Sequence, residues 1–247
     1  MSELAALLTE RLTAAAREQS FPYCRPKDAA TLILVDRSGR SPKVLLGRRH
    51  RGHAFMPGKF VFPGGRVEPA DRRMSSATPI SERIERQLMR KVGRPSPERA
   101  RAMALTAIRE TFEETGFMVG VKASPTSRAP GAHWAPFAQA GVQPDLAALH
   151  LIGRAITPPG RPRRFDTRFF ATDARAIVHR IDGVVGPDAE LVELVWLTIA
   201  EAKRLDTPVI TQAMLAELEA RLACGFDHAA QVPFYRMRHG RFVRETL

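Results

Sequence analysis

The chain has 247 residues, 44% of them apolar, with 38 Lys and Arg against 26 Asp and Glu, a net charge of +12. This length allows one substantial core with insertions or two small domains, and a soluble globular protein is expected. No apolar run reaches the roughly 18 residues that a membrane-spanning helix needs, which excludes a helical membrane protein. The basic excess favours anionic partners without choosing among phosphorylated metabolites, nucleic acid and acidic lipid. Only Cys24 and Cys224 are present, forming no metal-ligand pair or disulfide framework, so a reducing compartment is the plain reading, with a bridge between the two left open; the N-terminus carries acids that a signal or transit peptide avoids. A cytoplasmic location is expected.

Leu4, Leu7, Leu8 and Leu12 recur at helical spacing, so residues 2–19 read as an amphipathic packing helix. "AATLILVD" and "KVLLGRR", separated by "RSGRSP", read as two strands joined by a turn. The stretch "FMPGKFVFPGGRVEPAD" reads as an ordered loop with a short strand at "KFVFP" and a Gly-Gly turn at Gly64 and Gly65. In the insertion, residues 72–100, Ile80, Ile84, Leu88 and Val92 repeat every four positions and predict a helix between Pro79 and "GRPSP". A longer helix follows, with Ser96 as its cap, Pro97 at its first position and Gly116 as its stop. A short helix is expected near "WAPFAQAG". Strands are expected at "HLIGRAITP", "RFDTRFFATD" and "ELVELVWLT", then two helices within residues 198–224. This order predicts an α+β fold, residues 1–247 forming a single domain.

The long helix ends on "AIRETFEETGF", which places Glu110, Glu113 and Glu114 on one face. Like charges at these spacings cost about 0.2–0.5 kcal/mol per pair, and the helix dipole disfavours anions in its last turns. Something cationic must offset them: either arginines such as Arg101 and Arg109 on a solvated face, or a divalent metal.

The surrounding residues resemble the Nudix box, whose pattern is Gly, five residues, Glu, seven residues, then Arg-Glu-U-x-Glu-Glu-x-Gly-U, with U a bulky aliphatic. Gly65 is the first glycine, Asp71 stands where the pattern has Glu, and Arg109, Glu110, Glu113, Glu114, Gly116 and Phe117 fill the second half. Thr111 departs from the pattern, and so does the spacing, because residues 72–108 separate Asp71 from Arg109. "FMPGKFVFPGG", "RFDTRFF" and the long insertion resemble the branch that contains the peroxisomal coenzyme A diphosphatases and their bacterial relatives.

The resemblance implies a mixed β-sheet sandwiched between α-helices, with a helical insertion inside the box, and Mg²⁺- or Mn²⁺-dependent hydrolysis of a small-molecule diphosphate. It implies Glu110, Glu113, Glu114 and Asp71 as metal ligands, and Glu113, Glu114 and Arg109 as catalytic residues, Arg109 also being suited to hold helix and loop together. Glu190 and Glu193 are the candidates for a general base outside the box. Gly64 and Gly65 would bring backbone close to metal or phosphate, and Arg164 and Asp166 would face substrate, with Phe165, Phe169 and Phe170 as packing. Arg48, Arg49 and Arg51 suit phosphate binding or a solvated basic turn equally. His50, His53 and His179 lack a partner pattern.

Coenzyme A or acyl-coenzyme A heads the expected substrates. Nucleotide sugars, dinucleoside polyphosphates and capped RNA are alternatives, as is a binding protein that recognises a nucleotide without hydrolysing it. A nucleic-acid partner is disfavoured because no RNA-binding module is visible. No membrane partner is expected, and a homodimer stays open.

Overall fold

The structure, a computed structural model, describes residues 3–16, 21–52, 56–126, 128–226 and 231–247. Helix α1 (Glu3–Ala16) packs Leu8 and Leu12 inward while Leu7 stays half exposed. Of the expected span 2–19, residues 2 and 17–19 lie outside the described residues, as does His53.

Strand β1 (Lys27–Asp36) is buried from Ala29 to Val35, a run that is apolar but for Thr31 and has cover on both faces. It pairs antiparallel with β2 (Lys43–Arg49), as the "RSGRSP" turn predicts. Two short strands line the same edge region, β3 (Phe60–Val61) against β2 and β4 (Gly64–Arg66) against β1. The glycine pair is therefore not a turn. Gly64 lies opposite Thr31, and a Cβ there would sit 2.3 Å from Thr31 Oγ1, so close strand approach requires the glycine.

Helix α2 (Pro69–Arg73), which the sequence did not signal, carries Asp71 and leads into the insertion, which contains α3 (Glu82–Met89). Ser81 caps α3 by accepting from the Ile84 N–H, and Ile80, Ile84 and Leu88 are buried, whereas Val92 lies beyond the helix. Helix α4 (Pro97–Thr115) has the predicted Ser96 cap and Pro97 start, and it stops at Gly116, whose φ of 78° is the left-handed conformation that glycine adopts without strain. Arg101 of α4 donates to the Arg72 and Met74 carbonyls and so ties the insertion to the helix that follows it.

Beyond α4 come β5 (Phe117–Val119), β6 (Val121–Lys122), α5 (Ala135–Gln139) and β7 (Val142–Gln143). The central strands resume with β8 (His150–Ile156) and β9 (Phe165–Asp173), followed by β10 (Ile177–Arg180) and β11 (Leu191–Thr198). Helices α6 (Ile199–Ala202) and α7 (Val209–Ala223) fill the predicted 198–224 region. A terminal hairpin, β12 (Pro233–Arg238) and β13 (Arg241–Thr246), was not expected from the sequence.

The main sheet runs β11-β2-β1-β9-β8-β12-β13 and is mixed, with β1/β9 and β8/β12 parallel and the other pairs along this path antiparallel. On one face Leu32, Leu34 and Leu45 meet Leu105, Ile108 and Phe112 of α4, together with Ile84 and Leu88 of α3. On the other, Ile33, Val35 and Leu46 meet Leu8, Leu12, Met214 and Leu218 of α1 and α7. Each fully buried aliphatic contributes about 1.5–3 kcal/mol. The α+β sandwich expected from the resemblance is the observed architecture.

Candidate active site

Helix α4 carries the acidic motif along the sheet edge made by β4, and the three glutamates diverge. Arg109, almost fully buried, spans the two halves of the motif. Its Nε and Nη2 donate to the two oxygens of Asp71 at 2.8 and 3.0 Å, Nη1 donates to Glu113 Oε2 at 2.9 Å, and Nη2 also reaches the Arg66 carbonyl at 3.0 Å. Asp71, completely buried on α2, accepts further from the Glu68 N–H at 2.9 Å, Thr106 Oγ1 at 2.8 Å and Trp134 Nε1 at 3.1 Å. Burial works against the Arg109 charge, but the Asp71 hydrogen bonds and the flanking acids outweigh it and hold the proton more firmly. The insertion therefore loops out while Asp71 and Arg109 close the motif in space.

This corrects two expectations. Asp71 is not available as a metal ligand, because protein donors occupy both of its oxygens. Arg109 holds helix and loop together and is not among the residues lining the site pocket. Glu113 also turns aside, toward Arg109 and His133, whose Nδ1 lies 2.7 Å from Glu113 Oε1.

Glu110, whose Oε1 also lies 3.0 Å from Arg109 Nη2, and Glu114 line a cleft of about 280 Å³ together with Gly64, Gly65, Arg49 and Glu190. A Cβ on Gly65 would sit 2.5 Å from the Glu110 carboxylate, so the bare backbone is what lets that acid lie there. Burial pushes Glu110 up to about 7, opposed by the Arg109 charge and reinforced by that of Glu113. Burial, then the negative charge of Glu190, holds Glu114 well above the ordinary carboxylate range, with Arg49 opposing. Among the described residues the hydrogen bond to Glu114 comes from the Gly64 N–H at 3.3 Å. A buried carboxylate with one long hydrogen bond is costly, and a cation would relieve it.

The donor set suits a hard cation in part. Among the described residues no three His, Cys, Asp or Glu side chains form a group that could hold a metal ion unaided. Mg²⁺ nevertheless binds through about one or two carboxylates, completing its shell with water and substrate phosphate oxygens. Glu110 and Glu114 offer that number.

Of the remaining expected residues, Arg49 pairs with Glu190 at 2.8 Å inside the cleft, whereas Arg48 pairs with Glu193 at 2.8 Å, and neither Arg48 nor Glu193 is among the cleft-lining residues. Strand β9 reverses the expected phase. Phe165, Thr167 and Phe169 line the cleft, while Asp166 points away and receives two 2.7 Å hydrogen bonds from Arg154. Arg164 is buried with its guanidinium on the Thr157 and Cys24 carbonyls. Arg164 and Asp166 thus brace the fold, and neither is among the residues lining the cleft. Arg163, exposed at the cleft, and the Asp71 partner Trp134 were missed, and no motif in the sequence marks either. A separate cleft of about 480 Å³ beside Arg73 and Arg128 has no Asp, Glu or His among its lining residues.

No family model matches the chain. Among solved structures it is similar to a NUDIX hydrolase from Alicyclobacillus acidocaldarius, with 29% identity over 81% of this chain and 93% of that one and a TM-score of 0.58. Looser matches include the NUDIX domain of Shewanella oneidensis NrtR, solved with ADP ribose (12% identity, 90% of this chain and 99% of that one, TM-score 0.44). Another is the MutT protein from Methanosarcina mazei Go1 (14% identity, 81% and 99%, TM-score 0.45). The chain has the Nudix fold, and its likeness to the Alicyclobacillus protein supports a hydrolase.

Proposed function

We propose that the chain is a divalent-metal-dependent diphosphatase that hydrolyses the pyrophosphate bond of a nucleoside-diphosphate-linked metabolite, with coenzyme A or acyl-coenzyme A as the preferred substrate. The observation that carries this reading is the placement of two acids of the motif at one cleft: Glu110, although it also contacts Arg109, and Glu114 line it beside Gly64, Gly65 and Glu190, while Asp71 and Glu113 engage Arg109 away from it.

In this reading Glu110 and Glu114 hold Mg²⁺ or Mn²⁺, which when bound neutralises the diphosphate oxygens and stabilises the leaving phosphate. The glycine backbone admits the phosphates closely, and the exposed Arg163 adds a cation at the mouth of the cleft. Glu190, which lines the same cleft, takes the proton from the attacking water as the oxygen bonds to phosphorus and the bridging P–O bond breaks. Arg49 orients that carboxylate through their 2.8 Å contact. Arg109 positions the helix through Asp71 and touches no reacting atom.

The coenzyme A preference rests on the resemblance of "FMPGKFVFPGG", "RFDTRFF" and the long insertion to that branch. The free thiols Cys24 and Cys224 suit a reducing compartment, and we place the activity in the cytoplasm, in one domain spanning residues 1–247. Among the described residues no helix is long and apolar enough to cross a membrane. Initial rates with Mg²⁺ on coenzyme A, dephospho-coenzyme A, ADP-ribose and dinucleoside polyphosphates test the assignment. The highest kcat/KM is expected for a coenzyme A species, yielding 3',5'-ADP and a 4'-phosphopantetheine product. A clear preference for ADP-ribose rejects the substrate and leaves the diphosphatase class standing.

A further inference from the structure

A second cavity adjoins the carboxylate cleft. Its volume is about 480 Å³, within the range of about 300–1,000 Å³ usual for small-molecule sites, and it lies between α1, the ends of β8 and β9, the start of α7, and β13. Leu12, Ala155, Ile156, Val209 and Phe242 form its apolar wall. The cations on its border are engaged: Lys59 pairs with Asp206, and Arg161 donates to the Ala15 carbonyl. The two spaces adjoin, since Met56, Thr157, Thr167, Phe169, Pro208 and Ile210 line both. One extended ligand can therefore lie across them, its anionic part among Arg49, Arg163 and the glycines and its other arm in surroundings that offer apolar contact.

We propose that this chamber binds an aliphatic arm attached to the diphosphate, and so selects substrates in which a linear apolar chain lies beyond the second phosphate. The inference rests on the diphosphatase reading for the placement of the phosphates. Its own content is chain-length selection by the chamber. Burial of methylenes in a preformed apolar space is favourable in proportion to the area removed from water, whereas a compact polar arm gains nothing there. Chain preference is thus set by the chamber wall, apart from the carboxylates.

The test uses binding, so that it does not depend on turnover. Methyl and octyl esters of adenosine α,β-methylene diphosphate, whose P–C–P link resists hydrolysis, are titrated calorimetrically into the full chain with Mg²⁺. The octyl ester is expected to bind at least about tenfold tighter, a modest share of what seven buried methylenes can supply. Val209→Asp places a carboxylate on the chamber wall at the first residue of α7, where an acid suits the helix dipole. Val209→Trp fills the same space without charge. Both variants are expected to bring the octyl-to-methyl ratio close to one. Equal binding of the two esters by the unsubstituted chain overturns the proposal, as does an octyl preference that survives both variants. Hydrolysis of the corresponding ordinary diphosphate esters is measured alongside: turnover without chain preference sinks the chamber and keeps the diphosphatase, while chain-selective binding without turnover does the reverse.

Discussion

Asp71→Asn separates a structural clamp from a metal ligand. The substitution keeps the side-chain size but removes the charge that faces Arg109 across 2.8 and 3.0 Å, at a position with no solvent exposure. Removing one partner of a buried ion pair costs about 3–5 kcal/mol, because the other charge is left poorly compensated. Here Glu110 and Glu113 remain within 3.0 and 2.9 Å of the same guanidinium, which places the cost near the lower end. The amide also keeps an oxygen for Trp134 Nε1 or Thr106 Oγ1, but not for every donor that Asp71 now satisfies. For a chain of this length each kcal/mol moves Tm by about 2–4 °C, so a loss of about 3 kcal/mol lowers it by about 6–12 °C. Thermal melts in EDTA, with Mg²⁺ titration by calorimetry on the folded variant, are the assay. The clamp predicts a large Tm loss with metal affinity largely kept. A Tm within about 2 °C of the parent, together with strongly weakened Mg²⁺ binding, would refute it.

Two further outcomes follow from the same geometry. Glu110 is raised from 4.5 to about 7, so between those values the folded chain holds a proton that the unfolded chain has released, and metal-free stability falls as pH rises through that window. Glu110→Gln should accordingly melt higher than the parent at pH near 7.5 in EDTA, with the difference shrinking toward pH 4.5; a difference independent of pH contradicts the assigned burial. Within the insertion, Glu82 and Glu85 line no cleft described here, and their joint replacement by Ala should leave Mg²⁺-dependent turnover within about twofold, whereas a loss of about a hundredfold in a folded variant would give the insertion a catalytic part.

The acidic helix was legible because its signals are local. Ser96, Pro97 and Gly116 fix its ends through backbone chemistry that needs no distant partner. The short apolar runs on either side of "RSGRSP" likewise marked β1 and β2 as two strands joined by a turn. The terminal hairpin was missed although "RMRHGRF" contains a turn signal: His239 and Gly240 have φ of 47° and 75°. Its strands interleave arginines with apolar residues, and the basic composition obscured the alternation.

At the site, helical spacing placed three glutamates on one side of α4, but an arc of that width can face two environments. Arg109 contacts both Glu110 and Glu113, but of the three glutamates Glu110 and Glu114 line the cleft and Glu113 does not. Asp71 could not be assigned from sequence, because its role depends on Trp134 and Thr106, residues 63 and 35 positions away. The pairing of β9 with β1 sets which of its residues face the cleft, and the aromatic alternation in "RFDTRFF" is equally consistent with either phase.

The central claim is that Glu114 faces a functional metal site and not a stabilising ion pair. Glu114→Gln preserves size and the Gly64 contact while removing one negative charge from the cleft. Hydrolysis of coenzyme A with saturating Mg²⁺ is measured beside the melting temperature in EDTA. The account predicts a fall in turnover of at least about a hundredfold, equivalent to roughly 2.7 kcal/mol of transition-state stabilisation, with Tm unchanged or raised as the repulsion with Glu110 and Glu190 is relieved. Near-normal hydrolysis with a lowered Tm would contradict it.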